Sequence, residues 1–289
     1  MLREESPRRL AGVLGWPLIH TLSPAMHNAA FRAVGIGATY LRLPVPPQDL
    51  AGALRALVEA DPLGLNVTTP HKETVARLVD DLSPDASSVM AVNTIELREG
   101  RVVGHNTDIT GLVDFLVVDA ALEAQGKSAV VLGAGGSARA VVRALDTLGV
   151  SPIVVCGRRS DAARSVADVA GDSTRTAGWG EAVELVSSVD VVVNATPVGA
   201  NGETLLPAAR FRSGQVIVDL ITHPRETALV RRARRHGASA WGGVPMLVRQ
   251  GADSFRIWTG RKPPLEEMLR AVGETDAENH SPPRSPDIS

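Results

Sequence analysis

The sequence predicts an α/β protein built from two successive units, the second of which forms a doubly wound parallel sheet. Three observations predict this fold class. Strand-like and helix-like segments alternate along most of the chain. Valine-rich runs such as residues 189–193 suit parallel strands that are buried on both faces. A glycine-rich turn follows the apolar segment 130–132 and opens into an alanine-rich helix.

The first unit shows strand-like and helix-like segments in turn. Ser23 suits the N-cap of one helix, and another begins near Pro70 with Val75, Leu78 and Val79 on its buried side. The predicted strands cover 10–15, 39–43, 63–67 and 92–97, and the other predicted helices cover 49–59 and about 109–124.

The second unit alternates more regularly. Strands are predicted at 128–132, 152–156, 189–194 and 216–220, with helices between them and a further helix at 225–236. A short strand at 238–241 precedes two final helices at about 245–260 and 264–272.

The glycine-rich turn carries Gly133, Gly135 and Ala138 in the G-x-G-x-x-G/A spacing of a dinucleotide-binding turn. The first glycine permits the tight reversal, the second lets the backbone approach a pyrophosphate, and the alanine allows close helix–strand packing. The helix N-terminus offers unpaired N–H groups to the anion. The second unit is thus predicted to be a Rossmann-type nucleotide domain.

The tip of the next strand indicates which nucleotide this domain takes. An acidic residue there binds the ribose 2′-hydroxyl of NAD in many such domains. Here Gly157, Arg158 and Arg159 follow the strand, with Asp161 close by. Two guanidinium groups suit a 2′-phosphate, so NADP is favoured over NAD, although a solvated pair of surface arginines is the alternative.

These patterns set the expected domain limits. We place an N-terminal α/β substrate domain at 10–110, the Rossmann-type NADP-binding domain at 111–240 and helices that return to the first domain at 241–272. A loose N-terminus (1–9) and a disordered tail (273–289) flank them, because neither segment has apolar periodicity.

Composition limits the possible partners. The chain has 289 residues, 44% of them hydrophobic, and a net charge of −2, which gives no case for nucleic acid or a membrane surface. Cys156 is the sole cysteine, and the histidines show no metal-site spacing, so no metal is expected. Without a signal-peptide core or a run of ~20 apolar residues, a cytoplasmic protein is expected.

Seven short segments in a fixed order resemble the shikimate dehydrogenase family, and together they cover about residues 10–272. They are His20–Pro24 (HTLSP), Asn66–Lys72 (NVTTPHK), Ala91–Thr94 (AVNT), Gly104–Asp108 (GHNTD), Gly133–Arg139 (GAGGSAR), Asn194–Pro197 (NATP) and Met246–Ala252 (MLVRQGA). The resemblance implies reversible reduction of 3-dehydroshikimate to shikimate with NADPH, a step in chorismate and aromatic amino acid biosynthesis. Dimers are common among such enzymes, so a monomer or homodimer is expected.

The resemblance also implies roles for individual residues. Lys72 and Asp108 would form the catalytic pair. Substrate contacts would come from Thr21, Ser23, Thr68, Lys72, Asn93, Asp108, Thr222 and Gln250. Cofactor contacts would come from Gly133, Ala134, Gly135, Gly136, Ser137, Gly157, Arg158, Arg159, Leu220, Gly243 and Met246.

The chemistry of these side chains independently fits such roles. Hydride delivery to a ketone builds negative charge on its oxygen, which requires a proton donor or a positive group. Lys72 would lie in the first turn of a helix, where the dipole disfavours a cation, and Asp108 would hold its ammonium in place. Hydroxyl and amide side chains such as Thr68, Asn93 and Gln250 suit a polyhydroxylated ring.

Three positions depart from the family pattern. Thr21 stands where the family has serine, and Gly157 replaces the usual asparagine. Thr222 replaces a tyrosine that reaches the substrate, so quinate or an aminoshikimate remains an alternative substrate.

Two other functions would also suit a two-unit nucleotide-binding chain. One is a regulatory protein that binds the nucleotide without catalysis, and the other is a dehydrogenase of folate one-carbon units. Against the first stand four retained residues together: Lys72, Asp108, Asn93 and Gln250. The second would not need the residues that suit ring hydroxyls and a carboxylate.

Overall fold

The computed structural model of the protein describes the backbone of residues 9–279 and the side chains of residues 9–273. Two six-stranded sheets form, one from each predicted unit, and the predicted α/β class with a doubly wound second sheet is confirmed. The expected loose segment falls outside the described residues except for Arg9, which already belongs to the first strand.

The first sheet has the strand order β2-β1-β3-β5-β6-β4. Its strands β1 and β3 run parallel to each other and to β2, whereas β5 runs antiparallel to both of its neighbours. The strands are β1 (Arg9–Gly15), β2 (Ala38–Pro44), β3 (Gly64–Val67), β4 (Asp81–Leu82), β5 (Thr94–Arg98) and β6 (Arg101–His105). The helices are α1 (Ser23–Ala33), α2 (Leu50–Glu59), α3 (Lys72–Val75), α4 (Pro84–Val89) and α5 (Thr107–Asp114).

The second sheet is entirely parallel in its pairings, with the order β12-β11-β10-β7-β8-β9. Counted along the chain, this is the 3-2-1-4-5-6 order of a Rossmann sheet. The strands are β7 (Ala129–Leu132), β8 (Ile153–Gly157), β9 (Thr174–Gly178), β10 (Val191–Asn194), β11 (Val216–Asp219) and β12 (Ser239–Trp241). The helices are α6 (Gly136–Thr147), α7 (Ser160–Ala167), α8 (Ala182–Ser188) and α9 (Ala228–Arg235).

The valine-rich strands of the second sheet are buried on both faces. Val131 and Val193 pack into the apolar cluster on one side of the sheet, and Val130 and Val192 pack into the cluster on the other. Successive side chains of a strand point to opposite faces, so a strand between two helix layers must be apolar at every position. For this reason, apolar and polar residues do not alternate along these strands.

Two C-terminal helices, α10 (Val244–Thr259) and α11 (Leu265–Asn279), pack against the first unit. α11 lies on α1, and α10 lies on α5 and α1. A Cβ at Gly111 of α5 would come within 2.6 Å of the Gln250 backbone nitrogen, so glycine permits the close approach of α10 to α5. This approach brings Gln250 beside Asn93, which precedes β5, and Thr107, which follows β6.

Several predicted element limits were wrong. The helix expected from Pro70 is a single turn, and Leu78 is exposed because the chain turns away toward β4. The helix expected at 109–124 becomes π-helical over Phe115–Asp119 and ends there. Strands β4, β6 and β9 and helix α4 were not predicted. Disorder was expected from residue 273, but α11 continues to Asn279; residues 280–289 lie outside the described part.

Candidate active site

A large cavity of about 890 Å³ lies at the carboxyl ends of the Rossmann strands. Gly133 follows β7 with φ of +119°, and a Cβ there would come within 3.0 Å of the Ala195 carbonyl oxygen, so only glycine fits this turn without strain. Helix α6 begins at Gly136 and directs its free N–H groups toward the cavity. The turn therefore offers an anion site at the point where the strand order reverses.

Eight of the eleven predicted cofactor residues line this cavity. They are Gly133, Ala134, Gly135, Gly136, Ser137, Gly157, Arg158 and Arg159. Both arginines are exposed at the end of β8, where their guanidinium groups are available to an anion. The donor set thus fits a dinucleotide that carries an additional phosphate.

A smaller cavity of about 230 Å³ lies between the two sheets. All eight predicted substrate residues line it: Thr21, Ser23, Thr68, Lys72, Asn93, Asp108, Thr222 and Gln250. The remaining predicted cofactor residues, Leu220, Gly243 and Met246, also lie here rather than in the large cavity. Ser137 lines both cavities, so the nucleotide turn and the smaller cavity adjoin.

Lys72 and Asp108 form an ion pair in the wall of the smaller cavity. Lys72 Nζ donates to Asp108 Oδ2 over 2.5 Å, and both side chains are largely buried, with 11% and 8% of their surface exposed. Helix α3 has only four residues, so the expected dipole effect on Lys72 is small. The carboxylate is the main electrostatic partner of the ammonium.

The second oxygen of Asp108 is also held. Asn93 Nδ2 donates to Asp108 Oδ1 over 2.8 Å, and the Thr107 backbone N–H donates to Asn93 Oδ1 over 2.8 Å. The Asp108 backbone N–H donates to the N-cap side chain of Asn106, which fixes the start of α5. The carboxylate is thus oriented from two directions, with one oxygen left to face Lys72.

A buried hydrogen-bonded network supports these residues from below. Asn66 Nδ2 donates to the Asn93 carbonyl oxygen and to Ser254 Oγ, both over 3.0 Å. Tyr40 donates its phenolic hydrogen to Asn66 Oδ1 over 2.8 Å, and burial raises the pKa of Tyr40 well above its ordinary value. The phenol therefore remains a donor at any working pH.

Ser23 does not cap α1, contrary to expectation. Leu22 holds the N-cap position, and the Ser23 backbone N–H donates to Thr21 Oγ1 over 3.3 Å. No hydrogen bond of the Ser23 side chain to the helix backbone takes the place of a cap. Both Thr21 and Ser23 face the cavity, so their hydroxyls remain close to a bound ligand.

Several cavity residues were missed from the sequence. His20 and Asn66 line the smaller cavity, and Thr69 and Trp179 line the larger one. His20 and Asn66 lie inside segments that carry the family resemblance, a signal that could have identified them. Trp179 follows β9, a strand that was not predicted, so nothing in the sequence pointed to it.

Metal binding and membrane insertion find no support in the described residues. Across residues 9–279, no group of three or more His, Cys, Asp or Glu side chains is arranged to hold a metal. No helix in this part of the chain combines the length and apolar character needed to span a bilayer.

The Rossmann sheet, its glycine turn and the adjoining cavity with a lysine–aspartate pair define a two-domain, nicotinamide-nucleotide-dependent oxidoreductase. Family models then identify the family of oxidoreductases. The "Shikimate dehydrogenase substrate binding domain" matches residues 13–95, "Shikimate / quinate 5-dehydrogenase" matches 117–231, and "Shikimate 5'-dehydrogenase C-terminal domain" matches 243–272. The chain belongs to the shikimate dehydrogenase family, as its sequence motifs predicted.

Known relatives cover nearly the whole chain. The shikimate dehydrogenase (NADP(+)) of Methanopyrus kandleri is 39% identical over 280 residues, which are 93% of this chain and 97% of that protein. The Thermus thermophilus shikimate 5-dehydrogenase, solved with NADP(H) and shikimate, is 36% identical with a TM-score of 0.82, over 92% of this chain and 99% of its own. The Corynebacterium glutamicum quinate dehydrogenase, solved with NAD, is 31% identical with a TM-score of 0.85, over 92% and 99%.

Proposed function

We propose that the protein is an NADP-dependent shikimate dehydrogenase, which interconverts 3-dehydroshikimate and shikimate. The observation that carries this function is the Lys72–Asp108 ion pair in a polar cavity that adjoins the glycine turn through Ser137. The relatives named shikimate dehydrogenase (NADP(+)), together with the shared domain models, support the same activity.

Lys72 is the group that handles the proton. When bound, NADPH supplies the hydride that reduces the substrate ketone. The Lys72 ammonium faces the cavity, where it stabilises the negative charge that grows on the carbonyl oxygen and gives it a proton. In the reverse direction the lysine receives the proton from the hydroxyl group.

Asp108 and Asn93 hold this lysine in position. Asp108 accepts from Lys72 with one oxygen and from Asn93 with the other, so neither oxygen swings freely. A carboxylate fixed in this way keeps the ammonium aimed at one place in the cavity. Asp108 also lines the cavity and can accept from a ring hydroxyl.

The remaining cavity residues suit a hydroxylated ring acid. Thr21 and Ser23 offer hydroxyl donors to a carboxylate, and Thr68 and Gln250 offer donors and acceptors to ring hydroxyls. Arg158 and Arg159 would hold the 2′-phosphate of NADP at the far end of the larger cavity.

Quinate is the second candidate substrate. Thr222 lines the cavity with a short side chain, where the family pattern has a tyrosine, and this leaves room beside the ring. The likeness to a quinate dehydrogenase supports the same alternative. A regulatory protein without catalysis is disfavoured, because such a protein would not require Lys72 to be buried against Asp108.

Other properties follow from the same assignment. The first sheet ends at His105 and the second begins at Ala129, which supports a boundary between the substrate domain (10–110) and the NADP-binding domain (111–240) in this stretch, although α5 continues across residue 110. The packing of α10 and α11 supports 241–272 as the returning segment. The protein works in the cytoplasm as a monomer or homodimer. Sedimentation of the purified chain measures its oligomeric state directly.

The test of the activity is a two-by-two assay. Shikimate and quinate are each offered with NADP and with NAD, and formation of the reduced nucleotide is followed by its absorbance. The shikimate–NADP pair is expected to have the highest kcat/KM. Faster turnover of quinate would replace the substrate assignment, and NADP binding without turnover of either acid would favour a regulatory protein.

A further inference from the structure

Two histidines meet across the cleft between the sheets. The rings of His20 and His223 are stacked, with 4.7 Å between their centroids and 25° between their planes. His20 lies in the loop from β1 to α1, and His223 lies in the loop from β11 to α9. The stack therefore joins the substrate unit to the nucleotide unit by side chains.

Each histidine is next to a residue of the smaller cavity. His20 precedes Thr21 and His223 follows Thr222, and both threonines line the cavity from opposite sides. His20 itself also lines it. A contact between the two rings thus fixes how far apart the two threonines lie.

Hydrogen bonds hold both loops, which limits the positions that each ring can take. The buried Asp219 carboxylate accepts from the Ile221 backbone N–H over 3.2 Å and from Thr227 Oγ1 over 2.7 Å, at the two ends of the loop that carries His223. On the other side, Arg42 Nη1 donates to the Ile19 carbonyl oxygen over 3.1 Å.

The two rings themselves are open to solvent. His20 and His223 are both exposed, as is Ile19, which has 66% of its surface accessible. Exposed side chains contribute little to the free energy of unfolding, so stabilisation of the fold does not explain this pair. An aromatic pair nevertheless stabilises the contact beyond the effect of the area it buries.

We propose that His20 and His223 are positioning residues. Their stacked rings close the smaller cavity over the substrate and hold Thr21 and Thr222 against the substrate. This inference rests on the proposed function, because the substrate is taken to be a hydroxylated ring acid bound in that cavity. Stacking of the rings, rather than hydrogen bonding by their nitrogens, is the property that matters.

The test compares His223→Ala with His223→Phe, which keeps an aromatic face but has no ring nitrogen. His223→Ala is expected to raise the KM for shikimate roughly 2- to 10-fold, the equivalent of one lost aromatic pair. Its kcat and its Kd for NADP are expected to change less than about 2-fold, because His223 does not line the nucleotide cavity. His223→Phe is expected to restore the KM of the wild type.

A double-variant cycle with His20→Ala identifies the partner. If the rings act as a pair, the variant that lacks both is expected to have the same KM as the worse single variant. A KM raised by the product of the two single-variant factors would contradict the pairing. A wild-type KM in His223→Ala, or a raised KM in His223→Phe as well, would overturn the stacking role.

Hydrogen exchange supplies a readout that does not depend on turnover. The backbone amides of residues 16–22 are expected to exchange faster in His223→Ala than in the wild type, and at the wild-type rate in His223→Phe. Unchanged exchange in both variants would contradict the stack. The wild type is assayed first with shikimate, and absence of turnover there would count against the proposed function. The exchange rates would then still test whether the two rings stack.

Discussion

The two cavities are constructed in opposite ways. The nucleotide cavity depends on backbone shape and on short segments, such as the turn Gly133–Arg139 and the tip of β8. The substrate cavity depends on side chains from distant segments: Asn93 and Gln250, 157 positions apart, are joined by a hydrogen bond. The difference shows that cofactor binding can be local in sequence, whereas recognition of the substrate requires the complete fold.

This contrast explains which features the sequence could predict. The glycine turn and the valine-rich strands follow from local rules, and their limits were predicted to within a few residues. The support of Asp108 by Asn93, and of Asn93 by Asn66, was not predictable, because strands β5 and β6 form this site only after they pair. The helix expected from Pro70 was wrong because tertiary contacts of β4 override local periodicity.

Removal of the Lys72 side chain, the proposed proton donor, is the strongest test of the contrast between the two cavities. Lys72→Ala is expected to lower kcat by about 10²- to 10⁴-fold, the range typical of a lost proton donor, with substrate binding largely kept. NADP affinity should not change, because the nucleotide cavity is formed by other residues. Steady-state kinetics and fluorescence titration with NADP measure the two quantities.

The matched control for this variant is Lys262→Ala, at an exposed lysine that lies in neither cavity. It is expected to keep the wild-type kcat. A Lys72→Ala enzyme within a few-fold of wild-type kcat would end the catalytic role of Lys72.

A second variant tests the nucleotide side alone. Replacing Arg158 and Arg159 together by serine is expected to raise the KM for NADP by about 10- to 100-fold, since hydrogen bonds to charged groups contribute about 1.5–3 kcal/mol. The KM for NAD and for shikimate should change little. Arg164→Ala, at an exposed arginine of α7 outside the cavity, is the control. Equal losses with NADP and NAD would contradict a 2′-phosphate contact.

The smallest expected effect concerns the stability of the substrate unit. His27 is completely buried against Tyr40, both of its ring nitrogens lack hydrogen-bond partners, and burial lowers its pKa from 6.5 to about 3. The unfolded chain therefore binds one more proton than the folded protein between these pH values, so stability falls as the pH is lowered. From about pH 8 to about pH 5.5 this one group is expected to cost about 1.4 kcal/mol.

Urea unfolding at the two pH values measures this effect. His27→Phe keeps an aromatic ring against Tyr40 and removes the titrating group, so its loss of stability on acidification should be about 1.4 kcal/mol smaller than that of the wild type. Identical losses in both proteins would mean that His27 is not the group that takes up the proton.

One comparison of rates tests the assignment most directly. Purified protein is assayed for nicotinamide reduction with shikimate and with quinate, each with NADP and with NAD, in parallel for the wild type and Lys72→Ala. We expect the wild type to turn over shikimate with NADP at the highest kcat/KM, and Lys72→Ala to bind NADP but lose that turnover. A wild type that binds NADP and oxidises neither acid would contradict the assignment.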